Sequence, residues 1–262
     1  MSNQHVKDIK HLKERKYRSE TSLCYIEGIR IVYEAILQGI GFNEILISPE
    51  LSRSDIIIEI QAKAKANGIP ITELSKEVFE SISTKDGPQG LAAVVKQKWF
   101  SLEEISKLSR SWVALYEAAD PGNLGTILRT CDGVGASGVI LIGNCTDPYD
   151  PTAVRASMGA VFSQKIIKST VEEFSKWVTE NSRAVIGTSD HAQIDYRKVN
   201  YASDTILLMG SERQGIPVDL ENICNDIVSI PMRGSCDSLN LAVATSILLY
   251  EVYRNNKEKD KE

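Results

Sequence analysis

The stretch WVALYEAADPGNLGTILRT (Trp112–Thr130) joins an apolar run to a turn rich in small and polar residues. The run Trp112–Glu117 does not alternate apolar and polar side chains, which is typical of a parallel strand buried on both faces. Pro121 and Gly122 then predict a tight turn before a helical stretch. A strand that ends in so permissive a turn makes either an ordinary strand-to-helix corner or the floor of a site.

The composition is that of a globular protein with a core. The chain has 262 residues, of which 42% are hydrophobic and 25% charged, enough for one large or two modest domains. It lacks the roughly 18-residue apolar run of a membrane span, and its first residues contain no apolar stretch typical of a signal peptide, so we expect a cytoplasmic protein. Its cysteines and histidines are scattered without a C-x-x-C pair, so no disulfide framework and no metal site are predicted.

The net charge of −5 argues against a surface that is basic throughout, but the charge is uneven. Residues 1–20 carry six basic side chains against three acidic ones, a local excess of three. The basic residues there are Lys7, Lys10, Lys13, Arg15, Lys16 and Arg18. Such an arm can neutralise phosphates, although charge alone favours a solvated terminal helix.

Apolar periodicity divides the chain into an N-terminal domain at residues 1–98, a linker at 99–111 and a second domain at 112–262. Both read as α/β, the second with a parallel sheet covered by helices. In the first domain, helices are predicted at Ile26–Ile40, Asp55–Gly68 and Ser75–Ser83, and strands at Asn43–Ser48, Ile69–Leu74 and Gly90–Lys96. In the second, strands are predicted at Trp112–Glu117, Gly138–Gly143, Arg183–Thr188, Thr205–Gly210 and Asp226–Pro231, and the final helix at Ser238–Asn255.

Three corners rich in glycine and polar residues each follow one of these strands. They are Asp120–Thr130, Met209–Pro217 (MGSERQGIP) and Ile230–Ala242 (IPMRGSCDSLNLA). Ligands bind beyond the carboxyl ends of strands in open α/β sheets, so we expect the corners to converge on one edge. Taken singly, each has a structural interpretation. In the first corner, Asn123 is a helix N-cap and Arg129 a solvated surface charge. The second is a strand–loop junction with an exposed Glu212. In the third, Ser238 is an N-cap, with Asn240 in the first turn of the last helix.

A fourth glycine-rich stretch, GVGASG at Gly133–Gly138, matches G-x-G-x-x-G. A dinucleotide fingerprint follows a strand and opens a helix. Here the order is reversed, because the stretch follows a helix and leads into a strand. We therefore interpret it as a helix stop. A nicotinamide-dependent oxidoreductase is the alternative function that this motif would suggest, and it has no other support in the sequence.

The three corners together resemble the motifs of the SpoU, or TrmH, branch of the SPOUT RNA methyltransferases. The similar residues are N-x-G-x-x-x-R (Asn123, Gly125, Arg129), G-S-E-x-x-G-I-P (Gly210 to Pro217) and I-P-M with S-L-N-L (Ile230 to Leu241). The segment Asp147–Phe162 is similar to the intervening loop and helix of that family, and the first ~100 residues resemble its fused substrate-binding domain, a fold of the kink-turn-binding ribosomal-protein type.

The resemblance implies a C-terminal trefoil knot, a homodimer formed through the second domain, and transfer of a methyl group from S-adenosylmethionine to a ribose 2′-hydroxyl. By motif position, the catalytic residues are Arg129, Asn123, Glu212, Ser238 and Asn240. The cofactor contacts are Leu208, Gly210, Ile230, Met232 and Leu239. The RNA contacts are Lys13, Arg15, Lys16, Arg18, Arg30 and Arg155.

The resemblance implies that Arg129 binds the phosphate or ribose beside the target and helps the hydroxyl to lose its proton, with the RNA phosphate as a possible participant. It also implies that Arg129 of one subunit can serve the cofactor bound by the other. A guanidinium is almost always protonated, so it is a poor base by itself. The separate N-terminal domain favours 23S ribosomal RNA as the substrate. Transfer RNA and a non-catalytic ribosome assembly factor are the alternatives.

Overall fold

In the computed structural model, the run that opens Trp112–Thr130 is a strand of a seven-stranded sheet in which every paired neighbour is parallel. The structure describes residues 3–52, 54–105 and 110–259. The chain forms two units, each with its own core: Met1–Lys98 with Asp147–Ser163, and Trp99–Thr146 with Gln164–Glu262. The predicted α/β fold class, with a parallel sheet in the second domain, is confirmed.

The first unit surrounds a four-stranded sheet of order β1-β4-β2-β3. With elements numbered along the chain, its strands are β1 (Leu23–Glu27), β2 (Phe42–Ile47), β3 (Ile71–Glu73) and β4 (Leu91–Lys96). Its helices are α1 (Asn3–His11), α2 (Arg15–Thr21), α3 (Ile29–Leu37), α4 (Ile56–Ala66), α5 (Lys76–Ile82) and α7 (Pro151–Ser157). Strand β1 was missed, because the apolar spacing from Ile26 suggested a continuous helix. Gly28, with φ +112°, separates the strand from helix α3.

The second unit contains the parallel sheet, in the order β7-β6-β5-β10-β8-β11-β9. Its strands are β5 (Trp112–Tyr116), β6 (Gly138–Ile142), β7 (Lys165–Ser169), β8 (Val185–Thr188), β9 (Ile194–Asp195), β10 (Ile206–Met209) and β11 (Asp226–Ser229). Its helices are α6 (Pro121–Val134), α8 (Val171–Glu180), α9 (Val218–Glu221) and α10 (Leu241–Lys259). All five predicted strands are present, and β7 and β9 are additional.

Two boundaries differ from those predicted. The segment Asp147–Ser163 packs with the first unit, although the sequence assigned it to the second domain. In the linker predicted at 99–111, residues 106–109 lie outside the described ranges. Phe100 pairs with Ile167 of β7, and its N–H donates to the Ile166 carbonyl at 3.0 Å, so this part of the linker extends the sheet.

The helix-stop interpretation of Gly133–Gly138 is confirmed. Gly135 ends α6 in the left-handed conformation, with φ +71°. Gly138 begins β6, and a Cβ on it would lie 2.0 Å from the Lys165 carbonyl oxygen of the neighbouring strand. These glycines allow a helix end and a close strand contact, and they form no phosphate-binding loop.

Candidate active site

The three corners lie at one edge of the seven-stranded sheet. They follow β5, β10 and β11, whose carboxyl ends point the same way because all their pairings are parallel. Strands β5 and β10 are direct neighbours, and β8 lies between β10 and β11. The expected convergence of the corners is therefore confirmed.

The first corner begins with a cap that leaves Asn123 free for another role. The Asp120 carboxylate accepts a hydrogen bond from the Asn123 backbone N–H at 2.6 Å, and Pro121 occupies the first helical position of α6. Asp120 is thus the N-cap. The structural interpretation of Asn123 as the cap is wrong.

The Asn123 side chain instead links all three corners. Its Nδ2 donates to Glu212 Oε1 of the second corner at 2.5 Å. Its Oδ1 accepts from Asn240 Nδ2 of the third corner at 3.0 Å. We call this chain of three side chains, Glu212–Asn123–Asn240, the polar bridge.

Asn240 has a second role at the start of α10. Its Oδ1 accepts hydrogen bonds from the backbone N–H groups of Ala242 and Val243, at 2.9 and 3.3 Å. It is therefore the N-cap, a role for which its short amide is well suited. The interpretation that placed Asn240 inside the helix and Ser238 at its cap is wrong, because α10 begins only at Leu241.

The second corner folds back on itself. Ser211 and Gly215 exchange two backbone hydrogen bonds of 3.0 Å, and Gly215 has φ +69°. A Cβ on Gly210 would lie 2.2 Å from the Gly215 carbonyl carbon. Position 210 therefore needs a glycine because its own loop approaches it closely. The same loop places Glu212 in the polar bridge.

A cavity of about 720 Å³ lies at this sheet edge. Four of the five predicted cofactor-contacting residues line it, namely Gly210, Ile230, Met232 and Leu239. Three of the five predicted catalytic residues, Glu212, Ser238 and Asn240, line it as well.

Leu208 is the exception among the predicted cofactor contacts. Its side chain is fully buried in the core cluster. Successive side chains of a strand point to opposite sides, and Met209 is the residue of β10 that lines the cavity. The backbone carbonyl of Leu208 accepts a hydrogen bond from Oγ1 of the cavity residue Thr188 at 3.2 Å.

The end of β8 is a part of the site that the sequence reasoning missed. Residues Thr188, Ser189, Asp190 and His191 all line the cavity. The signal was present, since a run of polar residues follows a predicted buried strand. This stretch contains no glycine corner, however, and so it was not grouped with the other three.

Arg129 lies apart from the cavity. It is exposed, and it is not among the described residues that line the cavity or form the polar bridge. Six residues separate it from Asn123, which places the two side chains about 120° apart around the helix. Helix α6 therefore presents Asn123 to the site of its own chain and Arg129 to another surface.

The predicted RNA-contacting residues belong to the first unit. Lys13, Arg15, Lys16, Arg30 and Arg155 are all exposed. Lys13 also donates to the Ser83 carbonyl at 3.0 Å, and partial burial lowers the pKa of its ammonium group.

The prediction that Arg18 contacts RNA is wrong. Its side chain is only 1% exposed and is paired with Asp147, so it is not available to phosphate. The Lys and Arg residues of the N-terminal segment suggested a uniformly exposed basic arm, and nothing in their pattern indicates that Arg18 is buried.

Comparison with known proteins identifies the family of the chain. The model of the SpoU rRNA Methylase family matches residues 110–250, which is more than half of the chain. The chain belongs to the SpoU rRNA methylase family. An MRM3-like substrate-binding domain matches residues 3–93, and the predicted family and enzyme class, an S-adenosylmethionine-dependent RNA methyltransferase, are confirmed.

Individual relatives are similar to this chain over nearly its whole length. The 23S rRNA (uridine(2479)-2′-O)-methyltransferase of Streptomyces viridochromogenes is 30% identical over 251 residues, covering 93% of this chain and 86% of that protein. The 23S rRNA (guanosine(2553)-2′-O)-methyltransferase RlmP of Bacillus subtilis is 29% identical, covering 95% and 96%. A crystal structure of an AdoMet-bound rRNA methyltransferase from Sinorhizobium meliloti superposes with a TM-score of 0.88 at 37% identity, covering 96% and 95%.

Two further observations bear on cofactor and membrane. Within the described ranges, no group of three or more His, Cys, Asp and Glu side chains is arranged to hold a metal ion. Among the helices described, none has the length and apolar character needed to cross a bilayer.

Proposed function

We propose that this SpoU-family protein methylates a ribose 2′-hydroxyl of 23S ribosomal RNA in the cytoplasm, with the methyl donor held in the cavity at the sheet edge. The observation that carries this proposal is the polar bridge, which joins the three motif corners beside that cavity. Two relatives named as 23S rRNA 2′-O-methyltransferases support the choice of RNA and atom.

The residues present suit S-adenosylmethionine. The cavity is large enough for a ligand of that size, and its lining combines apolar side chains with backbone and polar groups. Ile230, Met232 and Leu239 supply apolar surface, and Gly210, Thr188 and Ser189 line the same cavity. When bound, S-adenosylmethionine supplies a methyl group activated by its positively charged sulfonium.

The chain must then help a neutral ribose hydroxyl to lose its proton. His191 is at the cavity, but its side chain is 93% exposed and its nearest carboxylate, on Asp190, is 3.8 Å away. Nothing in this arrangement orients it as a base. Arg129 binds the phosphate or ribose next to the target and stabilises the negative charge that develops on the oxygen. Asn123, held by Glu212 and Asn240, orients the ribose, and Ser238 binds near the donor and the target.

We propose that the active form is a homodimer built through the second unit, with Arg129 of one subunit serving the cavity of the other. Helix α10 supports this, because Val243, Tyr250 and Tyr253 expose 48%, 56% and 41% of their surface along one stripe. Such an apolar stripe indicates a protein interface. α6 packs on α10 through a 2.9 Å hydrogen bond between Thr130 and Ser246, so Arg129 is near this surface. The trefoil knot implied by the resemblance stays a prediction.

The decisive test is to incubate the purified protein with labelled S-adenosylmethionine and separated RNA fractions from a strain that lacks its gene. We expect one new 2′-O-methyl site in 23S rRNA. Label in the transfer RNA fraction alone would favour the tRNA alternative. No incorporation into any RNA, with cofactor binding intact, would favour a ribosome assembly factor.

A further inference from the structure

Arg18 is a fully buried cation in the unit that carries the predicted RNA contacts. Its Nε donates to Asp147 Oδ2 at 2.7 Å, and one terminal nitrogen lies 3.4 Å from Asp150 Oδ2. The other donates to the carbonyls of Leu12 and Lys13, at 3.0 and 2.7 Å. A buried charge persists only when it is paired and hydrogen-bonded, and the planar guanidinium fork meets all four acceptors at once.

The partners of Arg18 are far away in the sequence. Asp147 and Asp150 belong to the segment Asp147–Ser163, which packs with the N-terminal residues although it lies within the SpoU family match. Asp150 also caps α7, since its Oδ1 accepts from the Thr152 N–H at 2.9 Å. The ion pair therefore fixes both the start of this segment and the helix that carries Arg155.

Tyr149 forms a second anchor for the same segment. Its ring is 2% exposed, and its hydroxyl bonds both the N–H and the carbonyl of Lys98, at 2.8 and 2.7 Å. The Tyr149 N–H donates to Asp147 Oδ1 at 2.9 Å, so the two anchors share a carboxylate. The start of the segment is thus held rigidly by buried polar contacts.

The residue before this segment is bound to the catalytic corner. The Thr146 N–H donates to the Ala118 carbonyl at 2.7 Å, and Cys145 Sγ lies 3.3 Å from the Leu115 carbonyl oxygen. Ala118 is two residues before Asp120, the cap that positions Asn123. A continuous run of chain and hydrogen bonds therefore connects Asp147 with the start of α6.

We propose that Arg18 is a positioning residue: it docks Asp147–Ser163 within the first unit and so fixes the start of this segment and the helix that carries Arg155, on whose geometry methyl transfer to bound RNA depends. The proposal rests on the proposed function. It assigns to Arg18 a role different from that of its neighbours Arg15 and Lys16, which are exposed for phosphate contact. Arg18 acts after RNA is bound, on the geometry of the methyl transfer.

The test measures RNA affinity and turnover separately in the full-length protein. With Arg18→Met, we expect kcat to fall about tenfold or more, because small misplacements of a bound substrate strongly slow transfer. The Kd for RNA, at fixed ionic strength, and the Kd for S-adenosylmethionine should stay within about threefold of wild type. Arg15→Met removes the same charge from the same helix, and it should instead weaken RNA binding.

Two further variants separate positioning from folding. Arg18→Met with Asp147→Asn removes both charges, so that no lone ion stays buried; it should keep the low kcat while recovering thermal stability. Phe79→Leu weakens the core of the same unit without touching the ion pair, and at an equal loss of Tm it should keep kcat.

Normal kcat in the doubly neutral variant would overturn the proposal, as would an equal loss of kcat in Phe79→Leu. An inactive wild-type protein would instead refute the proposed function and is distinguished from both results.

Discussion

The two faces of helix α6 carry the same motif but have opposite surroundings. Asn123, on one face, is hydrogen-bonded on both sides by groups of its own chain. Arg129, on another face, is exposed, and its neighbour Thr130 is hydrogen-bonded to Ser246 of α10, a helix whose outer stripe is apolar. One face forms hydrogen bonds within the chain, and the other presents an exposed cation.

This contrast indicates how the reaction is divided. The groups that we propose to hold the methyl donor and to orient the ribose are already in contact within a single chain, so they do not need a partner to adopt their geometry. In the proposed mechanism, the cation that stabilises developing charge reaches a site only when a second subunit is present. We expect variants on the two faces to differ in cofactor affinity, in turnover and in their dependence on assembly.

The largest effect is expected for Arg129→Ala. Among the described residues Arg129 is not one of those that line the cavity, so cofactor affinity should stay near the wild-type value. Methyl transfer should fall at least about tenfold, since an interaction made in the transition state is lost. Isothermal titration calorimetry and single-turnover assays check the two quantities. Near-normal turnover would remove Arg129 from the mechanism, and loss of folding would make its role structural.

A mixed dimer shows which cavity Arg129 serves. One subunit carries Arg129→Ala with an intact cavity, and the other carries Ile230→Trp, which fills the cavity but leaves Arg129. If the arginine acts across the interface, this dimer keeps one complete site and about half the wild-type activity. If it acts within its own chain, both sites are incomplete and the dimer is inactive.

The sequence predicted the Asn123 face much better than the Arg129 face. Strand ends and glycine turns are local signals, and parallel pairing brings them to one edge without further information. The partners of Asn123 depend on how three loops approach one another. The spacing of residues in the sequence therefore could not predict its hydrogen bonds to Glu212 and Asn240. Leu208 shows the same limit, because the motif identified the strand end correctly but did not determine which of two adjacent side chains faces the cavity.

A smaller effect is expected for Asn123→Ala, which breaks the polar bridge. Two side-chain hydrogen bonds are lost, each contributing about 0.5–1.5 kcal/mol. Turnover should fall by about tenfold, because Glu212 and Asn240 lose their common partner. Thr126→Ala, one turn further along α6, is the matched control, since its hydroxyl bonds only the Gly122 carbonyl within the described residues. Equal losses in the two variants would contradict a special role for the bridge.

The buried Arg18 marks where sequence reasoning fails for a different reason. Arg15, Lys16 and Arg18 are equivalent in a charge pattern, yet only Arg18 meets a carboxylate 129 positions away. Long-range pairing of this kind leaves no local signature. The same holds for Asp147–Ser163, whose family match gives no indication that it packs with the first unit.

The smallest effect on stability, and the sharpest separation of roles, is expected at Asn240. Its Oδ1 caps α10 while its Nδ2 donates to Asn123. Asn240→Asp keeps the cap acceptor and loses one hydrogen bond of about 0.5–1.5 kcal/mol, which the added negative charge at a helix N-terminus largely offsets, so the free energy of unfolding should change by less than about 0.5 kcal/mol. The variant lacks the donor, however, and Asn123 would then face carboxylates on both sides with one amide nitrogen.

Asn240→Ala removes both functions and should cost about 1 kcal/mol of stability. Chemical denaturation and initial-rate assays on the two variants check the separation. Similar losses of activity with different stabilities would show that the amide donor, and not the helix cap, serves the reaction. If Asn240→Asp were as active as wild type, the polar bridge would be a structural feature of the sheet edge and the orientation of the ribose would have to come from other groups.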